Sequence, residues 1–136
     1  MSLSNSSRVI LSVFIASMMA MPLGAKVVRK YSSTPDATLA VKVDSVDFRN
    51  DLTRVYCKFS GVPHTSNRVD SAKLETGGNV YEGNDIDGVD FKRYFQWEDD
   101  GNIMIEIDFP AMKDFKFARL NLSTPRGASV TKITRK

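Results

Sequence analysis

Alternation of apolar and polar residues with a period of two is the strongest constraint on what this chain can fold into. In RVYCKF, Val55, Cys57 and Phe59 fall on one side, and Arg54, Tyr56 and Lys58 on the other. In NIMIEIDF, Ile103, Ile105, Ile107 and Phe109 share a face, with Met104, Glu106 and Asp108 opposite. Successive side chains of a strand point to opposite faces, so such runs are half-buried strands. No window after residue 25 holds an apolar helical period for three turns.

Further strands follow from the same pattern. LAVKV places Leu39, Val41 and Val43 together, and the parity then slips to Val46 and Phe48. A one-residue slip predicts a bulge near Asp44 and Ser45. RVDSAKLE, VYE, FKFARLNLS and ASVTKIT complete the series, separated by RNDLT, TGGN and TPRG turns. FKRYFQW and NIMIEIDF, joined by EDDG, read as a hairpin turning at Asp100 and Gly101. Short strands at this spacing predict an all-β fold: an antiparallel immunoglobulin-like β-sandwich of seven or eight strands, after an N-terminal signal helix.

The N-terminus reads as an export signal. Arg8 precedes the apolar run Val9–Met21, Pro22 breaks it, and Ala25 offers a small residue for cleavage. The run is shorter than the roughly 20 apolar residues a spanning helix needs, so no stable membrane span is expected after cleavage. An uncleaved N-terminal anchor is the alternative. The expected organisation is a signal peptide over 1–25, a flexible linker over 26–37, and a β-sandwich domain over 38–136. The expected location is periplasmic or extracellular. Cys57 is the only cysteine, so an internal disulfide is excluded, and its place among Val55 and Phe59 makes it a small core hydrophobe.

Formal net charge is +3, falling to +2 without Arg8. Glu82 to Asp100 holds seven acids against Lys92 and Arg93, a local −5. The basic residues elsewhere form no dense run interleaved with aromatics, which argues against a nucleic-acid partner.

Four features of the sequence are candidate sites. GNDIDGVDF spaces Asp85, Asp87 and Asp90 around Gly88 like a calcium loop. Aligning Gly88 with the invariant EF-hand glycine puts Gly83 at the first ligand position and Tyr94 at the twelfth, so both ends lack a ligand. Asp85, Asp87 and Asp90 remain candidate metal ligands, with calcium as the candidate cofactor, beside the simpler reading of an acidic connecting loop. His64, the sole histidine, could be grouped with Ser66 and Asp70, but no nucleophile elbow supports catalysis. Tyr94 and Trp97 could form a sugar-binding platform, although Trp97 shares its parity with Phe91 and Phe95, as a core stripe would. Asn121 in NLS is a formal glycosylation sequon. No catalytic residue is assigned, and the ligand-binding residues are left unknown.

The order LTRVYCKF, PHTSNRVD, GGNVYEGNDIDGVDF and DDGNIMIEIDFPAM resembles the small all-β module at the N-terminus of exported thioredoxin-like proteins of Bacteroidetes. It covers about Val41 to Met112, and its motifs are turn and packing residues. The resemblance implies a bacterial envelope setting and a non-catalytic accessory role, with an envelope protein or glycan as partner. It also gives Gly88, Val89 and Phe91 a structural job. It implies no redox chemistry, because the C-x-x-C pair of the following domain has no counterpart here.

Overall fold

A computed structural model describes residues 26–28, 31–34 and 39–136. The expected signal peptide and anchor alternative lie outside these residues, as do the gaps within 26–37. The strands are β1 (Lys26–Val28), β2 (Tyr31–Thr34), β3 (Ala40–Phe48), β4 (Leu52–Ser60), β5 (Ser66–Arg68) and β6 (Ser71–Thr76). They continue as β7 (Asn79–Glu82), β8 (Asp85–Asp87), β9 (Tyr94–Gln96), β10 (Asn102–Pro110), β11 (Phe117–Thr124) and β12 (Gly127–Arg135). The described residues are therefore all-β, without a helix, and hold twelve strands in three sheets instead of the seven or eight expected, because short edge strands pair where the sequence shows only turn residues.

Every pairing is antiparallel. One five-stranded sheet has the order β1-β3-β4-β10-β8, and the other β2-β12-β11-β6-β7; β9 and β5 form a two-stranded ribbon. Val55, Cys57 and Phe59 of β4, Ile105, Ile107 and Phe109 of β10, and Ala118, Leu120 and Leu122 of β11 are all buried in one core. Two sheets that each present alternate apolar side chains to a common interior make a sandwich-like arrangement. The parity slip in β3 is the expected bulge: pairing with β4 shifts register between Val43 and Ser45.

Three expectations change. The segment 26–37 is not a loose linker throughout, since β1 pairs with β3 and β2 with β12. Tyr31 is buried, packs on Phe115 at 5.4 Å between ring centroids, and donates its hydroxyl proton to the Phe115 carbonyl. An aromatic with a satisfied polar tip anchors a stretch whose composition looks polar. Asp85–Asp87 is a strand rather than a connecting loop: Ile86 turns inward opposite Ile107, between two exposed aspartates. A single apolar residue is too short a pattern to stand out from turn residues.

The FKRYFQW–NIMIEIDF hairpin does not form. β9 pairs with β5, and β10 pairs with β4 and β8. The Glu98–Gly101 turn exists, closed by Gly101 N donating to Glu98 O at 3.0 Å, with Gly101 at φ 67°. It delivers the chain to the end of β4 instead of folding it onto itself, because Gly61 N donates to Gly101 O. Turn residues fix a reversal and do not choose the pairing partner.

Gly88 closes β8 and is not the lead-in to a hairpin. Its φ is 105°, and a Cβ there would lie 2.4 Å from the Met104 carbonyl oxygen. Only glycine lets the chain leave β8 so close to β10. Val89 and Phe91 then pack, partly buried, against the core.

Cys57 is fully buried, and burial pushes its thiol from 9.0 up to about 12. The folded state therefore holds this proton more tightly than the unfolded chain. That contribution to stability is complete below pH 9.0 and is lost as pH rises toward about 12. Denaturant midpoints of the native chain should fall more steeply through this window than those of Cys57→Ala. Equal slopes would show that the thiol is exposed.

Candidate functional site

The aspartates of GNDIDGVDF do not converge as a calcium loop. Asp85 and Asp87 lie exposed on the outer face of β8, opposite Asp108 and Glu106 of β10. Arg54 stands among them, and the five side chains share a cavity of about 250 Å³ with Ile86. Arg54 Nε donates to Asp108 Oδ1 at 2.7 Å and Nη2 to Oδ2 at 3.0 Å; Glu106 is 3.8 Å away. This two-pronged pairing with Asp108 raises the guanidinium's hold on its proton. Asp90 pairs separately with Arg93 at 3.5 Å. Among the described residues no three His, Cys, Asp or Glu side chains are arranged to hold a metal ion. Asp108 and Glu106 meet a resident cation, while Asp85 and Asp87 charge the edge strand and discourage pairing with another sheet.

Nor do His64, Ser66 and Asp70 assemble. His64 Nε2 lies 2.9 Å from Asp99, and the Asp70 carboxylate is held by Arg68 at 2.7 Å. The aromatic platform also separates. Tyr94 is exposed and carries Arg68 over its ring at 4.8 Å, whereas Trp97 is buried and packs edge-on against Phe95. Asn121 donates its amide proton to Glu75 across the outer face of β11 and β6.

What the fold does assemble is a cluster of loops at one end of the sheets. The 61–65 loop after β4 is tied to the segment after β9 by a ladder of main-chain bonds. His64 N donates to Trp97 O at 2.8 Å and Trp97 N to Thr65 O at 2.9 Å. Gly61 N donates to Gly101 O at 2.9 Å, and Gln96 Nε2 reaches His64 O at 3.2 Å. His64 takes a left-handed φ of 66°, a conformation held by these bonds rather than by its own preference. The third member is the β11–β12 turn, where Thr124 Oγ1 donates to Gly127 O and accepts from Arg126 N.

These loops enclose a cavity of about 390 Å³, lined by Trp97, Asn67, Arg126, Thr65, Ser60, Gly61 and Val62 together with Leu39 and Ala40. Its volume falls in the range typical of small-molecule sites. The indole lies flat against Gly61, where a Cβ would stand 2.2 Å from the ring. Asn67 is only 5% exposed, and its Oδ1 accepts from Arg68 N. Sequence reasoning placed Trp97 in the core but missed the cavity. The signals were a solitary tryptophan before an EDDG turn, a glycine ending β4, and an arginine in a tight turn.

No family model matches the chain, and no curated protein or solved structure matches it. No helix among the described residues is long and apolar enough to cross a membrane.

Gly61→Ala forces the indole out of its seat. The substitution should cost about 1–3 kcal/mol, the usual range for overpacking. It should also shift the emission of Trp97, the only tryptophan, to the red. Unchanged stability and emission would show that the two residues are not in contact.

Proposed function

We propose that this chain is an exported module of the bacterial envelope that binds a partner or ligand and does not catalyse a reaction. The observation that carries the reading is the preformed, half-open cavity at the loop end, lined by side chains from three separate connections. Binding residues favour loops held on a rigid scaffold.

The strand order supports an immunoglobulin-like sandwich. The series β3-β4-β10-β8 and β12-β11-β6-β7 follows the arrangement of strands A-B-E-D and G-F-C with an added C′ strand. On that correspondence the cavity lies between the B–C and F–G connections and the chain leading into strand E. The first two of these connections carry recognition in antibody variable domains. Two departures matter. Cys57 stands on the second strand of this series, but the paired strand presents Leu120 and Leu122 instead of a second cysteine. The buried tryptophan lies before β10 rather than on β6. Apolar packing therefore does what a disulfide does in antibody domains.

The resemblance to the N-terminal module of Bacteroidetes thioredoxin-like proteins agrees with an accessory role outside the cytoplasm. An envelope protein or a glycan remains the partner class, but a sugar platform built on Trp97 loses its anchor with that residue buried. Stabilisation by calcium loses support because no three acidic side chains among the described residues are arranged to hold an ion.

The full chain should show no turnover against a broad panel of ester, amide and glycoside substrates. Turnover that disappears in His64→Ala would contradict a binding role.

A further inference from the structure

The cavity at the loop end is unusual in the hydrogen-bond donors that line it. Trp97 is 2% exposed, yet its indole N–H has no partner among the described residues. Asn67, 5% exposed, uses its carbonyl oxygen on Arg68 N, while its amide protons have no partner among the described residues. Arg126 lines the same space and forms no ion pair with any described residue. Neither the indole N–H nor the Asn67 amide is among the fully buried atoms without a partner, which among the described residues are Thr53 Oγ1, Thr131 Oγ1 and Arg135 Nε. Both donors reach the solvent of the cavity and are open to an acceptor on what binds there.

The remaining polar groups bring no balancing charge. The Ser60 hydroxyl donates to Asn102 Oδ1 at 2.8 Å, and that of Thr65 to Val62 O at 2.7 Å. Among the described residues, no acid lines the cavity. Asp99 and Asp100 belong to the same loop end, but Asp99 is paired with His64 and Asp100 accepts from Asn102 N at 3.1 Å. Arg126 is thus the one formal charge on the wall among the described residues. Leu39, Val62 and the indole ring supply apolar surface beside it.

We propose that this cavity binds a small organic carboxylate. The ligand's two oxygens accept from Arg126, from the Asn67 amide and from the Trp97 indole N–H, and its apolar part lies toward Leu39 and Val62. A planar guanidinium fork matches a carboxylate in geometry as well as charge. Inorganic phosphate satisfies the donors but leaves the apolar wall uncovered, so the two chemistries are separable. The inference rests on the binding reading above and adds the ligand class to it.

Trp97 is the only tryptophan and reports on the cavity directly. The full chain is titrated with N-acetyl-leucine, with its primary amide, with inorganic phosphate, and with a tetrapeptide ending in leucine with a free carboxylate. The expected result is a saturable change in Trp97 emission with the free acid. Binding should weaken by about tenfold or more with the amide, and likewise in Arg126→Gln and Asn67→Asp, since a charge-assisted pair is lost in each. Arg126→Gln lies on an exposed turn, and Asn67→Asp keeps the acceptor for Arg68 N, so both leave the fold's own bonds in place. Tighter binding of the tetrapeptide marks a chain terminus as the source of the carboxylate, and equal binding marks a free acid. An amide that binds as well as the acid overturns the carboxylate assignment and leaves the binding reading intact. So does a response to phosphate alone. Silence from every probe at millimolar concentration also overturns the assignment, whereas the binding reading falls on the turnover experiment.

Discussion

Val55, Cys57 and Phe59 on one sheet share an interior with Ala118, Leu120 and Leu122 on the other, and every one of the six is fully or almost fully buried. With one cysteine in the chain, apolar burial must hold the two sheets together without a covalent link. Each large side chain removed from water contributes about 1.5–3 kcal/mol before entropy is subtracted. Trp97 extends this interior to the loop end, where its ring covers Gly61 and its main chain bonds to His64 and Thr65. The loops therefore inherit their shape from the core.

That dependence separates the two charged regions of the surface. Along the β8 edge, Arg54 pairs with Asp108 and Glu106 of the neighbouring strand, in rows set by register: Arg54 opposite Asp108, and Asp108 opposite Asp85. Asp85 and Asp87 stay exposed on the outer side of that edge. The loop end is the reverse, with Arg126 left without a counter-charge among the described residues and the Trp97 and Asn67 donors beside it.

Much of the fold could be read from period-two patterning. The long strands β3, β4, β10, β11 and β12, the bulge at Val43–Ser45 and the inward course of Trp97 all follow from alternation. What was not legible depended on contacts distant in sequence. β1 and β2 are short, and their pairing is decided by partners from 18 (Val28 with Val46) to 104 (Tyr31 with Arg135) residues away. The supposed hairpin failed because Gly101 turns the chain toward β4 rather than toward β9. The cavity needed Asn67 of β5 brought together with Trp97 and Arg126 of two connections, and no local pattern encodes that convergence.

The central claim is that the loop end is preformed, held by Trp97 and the cross-loop ladder before any ligand arrives. Amide hydrogen exchange of the ligand-free chain tests it most directly. The account predicts slow exchange at Gly61, His64 and Trp97, whose N–H groups are spent on Gly101, Trp97 and Thr65 carbonyls. Protection there should approach that of the β4 and β10 amides and far exceed that of solvent-facing turns. Exchange of these three amides at the rate of an open loop would contradict it.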